Sequence, residues 1–202
     1  MRWMVLLPAL WLGGCNMVMT DRPLLPTSND PQPTFRHGIW ESRTDGCRPT
    51  IARRGQVPDC PFRYLINGRG TWAQNAEGEL ELAPLFAGQT FAFFGPDVGL
   101  SQVPFGDSNE TGYLYTGFEI TERGADGAIT AMTTWSVLCG PVPAPRRRRG
   151  VLMQQTYTNA PWPGLTMRGY GCTTDDFQAV RRAAELSRPF GVTSMRWSGS
   201  GR

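Results

Sequence analysis

The segments YLYTGFEIT, residues 113–121, and AITAMTTWSVL, residues 128–138, give the clearest indication of the fold. Each alternates in hydropathy with the period of two that is typical of a β-strand, and the turn-forming stretch RGADG, residues 123–127, joins them. We therefore predict an antiparallel hairpin whose apolar faces are two halves of one core layer. The first face comprises Leu114, Thr116, Phe118 and Ile120, and the second comprises Ile129, Ala131, Thr133, Trp135 and Val137.

Shorter strand candidates surround this hairpin, and turn residues separate them. The counts of 24 glycines and 17 prolines favour turns and short strands over long helices. The candidates are FRYLI (62–66), ELELAPL (79–85), QTFAFF (89–94), VLMQQTY (151–157) and LTMRGY (165–170).

The segment TTDDFQAVRRAAELSRPF, residues 173–190, is the exception and predicts a helix. Thr173 or Thr174 is the expected N-cap, two aspartates favour the positive end of the helix dipole, and Pro189 ends it. The predicted fold class is mainly β, either an antiparallel sheet or a small barrel, with one C-terminal α-helix.

The first 15 residues combine a positive charge at Arg2, an apolar run from Trp3 to Leu12 and the sequence Leu12-Gly13-Gly14-Cys15. The run is shorter than the about 20 residues that span a bilayer, and it is typical of a secretory signal peptide. The final motif resembles the lipobox of bacterial lipoproteins. That resemblance implies a thioether-linked diacylglycerol on Cys15, cleavage before it and acylation of its amine. The alternative is a buried N-terminal helix that happens to contain a cysteine.

The resemblance also sets the expected organisation and location. Residues 1–14 would be the signal peptide, 15–34 a flexible tether with four prolines, 35–197 one β-rich globular domain and 198–202 a loose tail. In enterobacterial lipoproteins an aspartate after the lipidated cysteine retains the protein at the inner membrane. Asn16 stands there in this chain, which implies the periplasmic face of the outer membrane. The expected partner is a membrane leaflet, reached through the lipid on Cys15.

Four cysteines remain in a chain that should enter an oxidising compartment, so disulfides are expected. Three connectivities exist, and local spacing favours Cys47–Cys60 and Cys139–Cys172. We expect no zinc or other metal, because the sequence contains no close pair of the Cys-x-x-Cys type.

Composition restricts the chemistry. All 20 basic residues are arginine, which excludes lysine nucleophiles and imines. No Gly-x-Ser-x-Gly, His-Glu-x-x-His or Gly-x-Gly-x-x-Gly motif is present, and we expect no cofactor. A nucleophile triad would have to use His37, the single histidine, whereas paired carboxylates could act as acid and base without it. Glu119 with Tyr113 and Tyr115 could line a sugar groove, although the polar face of an edge strand is the simpler interpretation.

The segment PVPAPRRRRG, residues 141–150, contains the strongest local charge. Its three prolines predict an extended stretch that does not fold back as a strand, so Arg146, Arg147, Arg148 and Arg149 would protrude. We interpret them as a contact for an anionic envelope surface or an acidic protein, at about 1 kcal/mol per arginine near an anionic leaflet. The alternative is a solvated loop. Nucleic acid fits the charge but not the expected compartment.

The stretches DRPLLP, residues 21–26, and GIW, residues 38–40, resemble uncharacterised lipoproteins of GC-rich Gram-negative bacteria, which implies no activity. The sequence therefore favours a lipid-anchored envelope lipoprotein that is a structural or interaction module rather than an enzyme. A glycan- or lipid-binding β module is the alternative, and a hydrolase is the third interpretation.

Overall fold

Antiparallel strands dominate the computed structural model, which describes residues 16–25, 33–44, 62–67, 70–74, 80–82, 89–106, 111–142, 146–148, 151–153, 158, 160–169 and 171–200. Within these ranges one α-helix, α1 (Phe177–Ser187), and a short 3₁₀ helix (Arg188–Phe190) lie near the C-terminus. The predicted fold class is confirmed. The strands are β1 (Met19–Thr20), β2 (Gly38–Thr44), β3 (Phe62–Asn67), β4 (Gly70–Gln74), β5 (Leu80–Leu82), β6 (Thr90–Phe93), β7 (Val98–Gly106), β8 (Thr111–Arg123), β9 (Ile129–Ser136), β10 (Arg146–Arg148), β11 (Val151–Met153), β12 (Thr166–Arg168), β13 (Gly171–Thr173) and β14 (Thr193–Gly199).

A curled half-barrel sheet contains most of these strands, in the order β5-β4-β3-β2-β14-β9-β8-β7-β6. The last strand of the chain lies in the middle, because β14 pairs on one side with β2 and on the other with β9. In the register of these pairs, Met195 of β14 lies opposite Ser42 of β2 and Met132 of β9. Two small hairpins, β10–β11 and β12–β13, lie outside this sheet.

Strands β8 and β9 pair as predicted, but the predicted combination of their faces is wrong. The register places Phe118 opposite Thr134 and Ile120 opposite Met132, so these four residues share one face. Trp135 lies on the other face, towards α1. The error arises because both faces of this hairpin are covered, so alternation alone does not identify which apolar row faces which core.

Two buried cores result, one on each face of the sheet. The helix-side core lies under α1, and the opposite-face core is rich in aromatic rings. In the latter the ring of Phe118 lies 5.6 Å from that of Phe91 and 5.3 Å from that of Phe93, both in edge-on geometry. The helix-side core includes Val18, Leu100, Tyr115, Val137, Cys139, Cys172 and Val180, and the opposite-face core includes Trp40, Ile66, Phe91, Phe118, Ile120, Met132 and Met195.

Small residues let α1 approach the sheet closely. Ala179, Ala183 and Ala184 are fully buried, and the indole Nε1 of Trp135 donates a 2.8 Å hydrogen bond to the carbonyl of Ala184. Gly117 on β8 makes room for this indole, since a Cβ there would lie 2.3 Å from the ring of Trp135. The helix is therefore fixed on the sheet by shape, by this hydrogen bond and by the 2.9 Å bond that the amide of Leu138 donates to the hydroxyl of Ser187.

The predicted helix is present, but its predicted cap is wrong. The N-cap is Asp176, whose carboxylate accepts a 2.8 Å hydrogen bond from the amide of Gln178. Thr174 acts one step earlier, since its hydroxyl accepts from the amide of Asp176 at 3.1 Å and shapes the turn before the helix.

The first part of the predicted tether is folded. β1 pairs with the start of β8, with Met19 opposite Leu114, and Val18 is buried in the helix-side core. Leu25 is also buried there. Burial of these apolar side chains is favourable in free energy, and it holds the segment against the sheet instead of leaving it as a flexible linker. The globular unit thus includes residues 16–25, which the sequence assigns to the tether, and the tail begins later than predicted, because β14 extends to Gly199.

The arginine run also differs from the prediction at the level of the backbone. Arg146–Arg148 forms β10 and pairs with Val151–Met153, although the prolines before it predict that it does not form a strand. The last proline, at position 145, precedes the run, and each arginine still has an amide that can donate to a partner strand. Arg149 and the side chains of Arg146–Arg148 lie outside what the structure describes.

Candidate functional site

Asn16, the residue after the candidate lipidation site, is the most constrained position near the N-terminus. Its side chain is 1% exposed and its φ of 71° is left-handed, a conformation that asparagine tolerates better than most residues. Its amide Nδ2 donates to the carbonyl of Gly140 at 3.2 Å, and its Oδ1 accepts from the amide of Thr158 at 3.2 Å. The side chain is thus used as both donor and acceptor.

The backbone of this segment is held by the end of β9 and by β13. The amide of Cys139 donates to the carbonyl of Asn16 at 2.8 Å, and the amide of Val18 donates to the carbonyl of Val137 at 2.9 Å. Met17 and Val18 also form bridges with Leu138 and Cys172. Residues from three distant parts of the chain therefore surround the first described residues.

A disulfide closes this region. Cys139 and Cys172 are joined, with their Cα atoms 5.6 Å apart, which is one of the two pairings that local spacing favours. Both cysteines are buried in the helix-side core. Cys47 and Cys60 lie outside the described residues, so their predicted pairing stays a prediction.

The other end of the segment is fixed by two polar side chains. The hydroxyls of Thr20 and Tyr115 share a 2.6 Å hydrogen bond. The side-chain oxygen of Gln102 accepts from the amides of Leu24 and Leu25 at 2.8 and 3.1 Å. Residues 16–25 are therefore hydrogen-bonded to the sheet along their length. Burial raises the pKa of the Tyr115 hydroxyl, and its hydrogen bond to Thr20 partly offsets this rise in pKa.

The buried phenol gives a test of this docking at high pH. Because the pKa of Tyr115 in the folded chain is raised above 10.0, its contribution to stability is present below that pH and is lost as the pH rises through the folded pKa. We expect Tyr115→Phe to destabilise the chain by about 1 kcal/mol at neutral pH and to reduce the loss of stability in alkali. Urea denaturation in detergent on both sides of pH 10 measures this, with the partly exposed Tyr113→Phe as the control. A steeper alkaline loss in Tyr115→Phe than in the parent would contradict it.

The residues considered for sugar binding do not form a groove. Tyr115 is fully buried and bonded to Thr20, whereas Tyr113 packs at the margin of the helix-side core. Glu119 forms an ion pair with Arg188. The backbone places these residues on one strand, but only Glu119 presents its polar group at the surface in an ion pair.

His37 is exposed, and its backbone carbonyl accepts a 3.0 Å hydrogen bond from the indole of Trp197. Among the described residues we find no hydrogen bond to its imidazole ring, so the geometry of a nucleophile and its base is not assembled there. In the fold His37 directly precedes β2, which begins at Gly38.

In comparisons with known proteins, no protein-family model, no curated protein and no solved structure matches the chain. In the described parts of the chain no three His, Cys, Asp or Glu side chains are grouped as metal ligands would be. Nor does any helix there have the length and apolar character needed to cross a membrane.

The sequence predicts lipidation of Cys15 but does not predict the burial of Asn16. Cys15 itself precedes the described residues, so its lipidation stays a prediction. A usable signal was present in the apolar spacing of Val18 and Leu25, but the four nearby prolines favoured a tether. The structure thus forms a buried site for Asn16, the residue that follows Cys15. We call this site, formed by Cys139, Gly140 and Thr158, the seat of Asn16.

Proposed function

We propose that this chain is a lipid-anchored lipoprotein of the bacterial envelope, on the periplasmic face of the outer membrane, and that it is a structural or interaction module. The observation that carries the proposal is the buried, doubly hydrogen-bonded side chain of Asn16. It lies one peptide bond after the cysteine of the lipobox-like motif, so an anchor on Cys15 would lead directly into the folded domain.

Direct attachment has a geometric consequence. A flexible tether of the predicted length would have an r.m.s. span of about 25 Å, whereas neighbouring Cα atoms are about 3.8 Å apart. With Asn16 fixed in the core, the domain would be held against the leaflet at one orientation. Such a placement suits a protein that presents a defined surface to envelope partners.

The packing of the two cores supports a structural or interaction module. The opposite-face core is filled by its own rings, and Trp40 is fully buried within it. The helix-side core is filled by α1 and by residues 16–25. Among the described residues, the apolar side chains of both faces therefore pack mainly against one another, which supports a structural or interaction module.

Surface charge supports the same proposal. Described arginines such as Arg36, Arg123 and Arg196 form ion pairs with carboxylates at 2.7 to 3.0 Å. These exposed pairs add little stability, but they leave much of the described surface electrically balanced. Contact of Arg146–Arg149 with an anionic surface remains part of the proposal.

Replacement of the lipobox-like cysteine tests the anchor. We expect Cys15→Ala to abolish labelling with a radioactive fatty acid and to remove the acyl mass from the N-terminal peptide. Two or more acyl chains give stable attachment, at about 0.8 kcal/mol per buried CH₂, so their loss should also release the folded domain from lipid association in washed, floated membranes.

The double variant Cys47→Ala with Cys60→Ala is the control, because it removes two cysteines and leaves the motif intact. It should keep the label. Retention of both label and membrane association by Cys15→Ala would refute the proposed anchor.

A further inference from the structure

An apolar patch lies on the surface at the C-terminal end of α1. Among the described residues three large apolar side chains are well exposed, and two of them, Leu186 and Phe190 at 43% each, are four positions apart. The ring of Phe190 lies 6.3 Å from that of Trp162, which is partly buried against the helix-side core. We call Trp162, Leu186 and Phe190 the aromatic patch.

Helix geometry places Leu186 on the side of α1 that faces the loop of Trp162. Leu186 follows Ala179 by seven residues, which is about two turns. A Cβ at Gly164 in that loop would lie 2.8 Å from the Cβ of Ala179. Leu186 thus lies on the side of α1 that faces this loop, and Phe190 and Trp162 adjoin each other at the end of the helix.

This region adjoins the seat of Asn16. The amide of Trp162 donates to the carbonyl of Cys139 at 2.7 Å, and the amide of Cys139 donates to the carbonyl of Asn16 at 2.8 Å. Ala160 and Thr158, in the same loop, bond to each other at 3.1 Å, and Thr158 bonds to Asn16. Two backbone hydrogen bonds therefore separate the patch from the residue that follows Cys15.

The charges around the patch are paired. Arg188 contacts Glu119 and lies 5.3 Å from the centre of the Trp135 ring. Arg182 and Arg181 pair with Asp176 and Glu185 at 3.8 and 3.3 Å. A surface of this kind favours an apolar, uncharged partner, and its attraction should depend little on salt.

We infer that the aromatic patch inserts into the headgroup and acyl boundary of the leaflet that holds the lipid on Cys15. The inference rests on the proposed function and specifies its geometry. Leu and Phe side chains bury their apolar surface at this boundary on interfacial helices, and the acyl chains would bring the patch to it with no intervening linker. The anchored domain would then lie with the end of α1 on the membrane, as a two-point attachment.

The test uses the full lipidated protein in phosphatidylcholine vesicles. Phe190→Cys and, separately, Leu186→Cys are labelled with an environment-sensitive nitrobenzoxadiazole dye. We expect a blue shift of emission when vesicles are added, and quenching by phosphatidylcholine that carries a nitroxide near its headgroup. Both signals should persist at high salt.

Phe105→Cys is the matched control, because Phe105 is 39% exposed, close to the 43% of Phe190, but lies on β7. Its dye should keep the emission of an aqueous surface. If the dyes at 186 and 190 behave like the dye at 105 while the protein floats with the vesicles, the patch inference fails and the anchor stands.

Two further outcomes are decisive. If the protein with an intact Cys15 lacks the acyl mass and does not float with vesicles, the proposed function is overturned, and the inference falls with it. A blue shift that appears without vesicles and grows with protein concentration assigns the patch to a second copy of the chain, which also overturns the inference.

Discussion

Asn16→Asp should destabilise the folded chain by about 3–5 kcal/mol, the range for a buried charge without a partner. The substitution keeps the shape of the side chain but replaces the donor Nδ2, which bonds to the carbonyl of Gly140 at 3.2 Å, with an oxygen. Two oxygens would then face each other in a site that is 1% exposed. Urea denaturation of the purified protein in detergent measures the loss.

The pH dependence of this variant is informative. Burial would raise the pKa of the new carboxyl above its ordinary value of about 3.9. The protonated form can donate to the carbonyl of Gly140, so the deficit should shrink as the pH falls towards that value and be largest at neutral pH. Equal deficits at acidic and neutral pH would contradict the assigned hydrogen bond.

Gln178→Glu is the control for Asn16→Asp, because it also replaces an amide with a carboxylate. Gln178 is exposed in the first turn of α1, where a negative charge is favourable. We expect its stability to match or slightly exceed that of the parent. A large loss in this control would show that the measurement reports net charge rather than the buried site.

Removal of the disulfide should have an effect of similar size. Cys139→Ala with Cys172→Ala opens a loop with a sequence separation of 33, which corresponds to about 4 kcal/mol in the chain-entropy model. Both side chains are buried, so their replacement also leaves small voids. Denaturation with and without a reductant measures the difference.

The reductant provides the comparison. When reduced, the parent protein should lose most of the free energy of unfolding that the Cys139–Cys172 disulfide contributes. The double variant lacks this disulfide, so reductant should not cause that loss in it. A double variant that is as stable as the oxidised parent would show that the link between β13 and the end of β9 adds nothing to the fold.

The sequence predicts where strands form better than it predicts which face of a strand packs against which core. Alternation is a local property, and it is sufficient for β8 and β9. The assignment of their faces depends on what covers the sheet, and Trp135 is covered by α1, which lies 49 residues away at Ala184. The N-cap shows the same limit at short range, since Thr174 and Asp176 both have capping side chains and the final geometry selects Asp176.

The candidate site divides in the same way. The motif around Cys15 is continuous in sequence, so a pattern can identify it. The burial of Asn16 depends on Gly140 and Thr158, at separations of 124 and 142 residues. No local composition reports such contacts. The prolines at positions 23, 26, 31 and 33 indicate a linker, whereas Val18 and Leu25 in the first part of that segment are buried in the core.

The distant partners of Asn16 also impose an order in time. Asn16 is synthesised before its hydrogen-bond partner Thr158, which follows 142 residues later. At 5–20 residues per second this delay is roughly 7–28 s. During that interval residues 16–25 cannot form their contacts with the rest of the fold. If Cys15 is lipidated as proposed, it would be accessible to the modifying enzymes throughout this time. Once Thr158 and Cys172 arrive, docking would withdraw the segment from them, so the fold itself limits the period for processing.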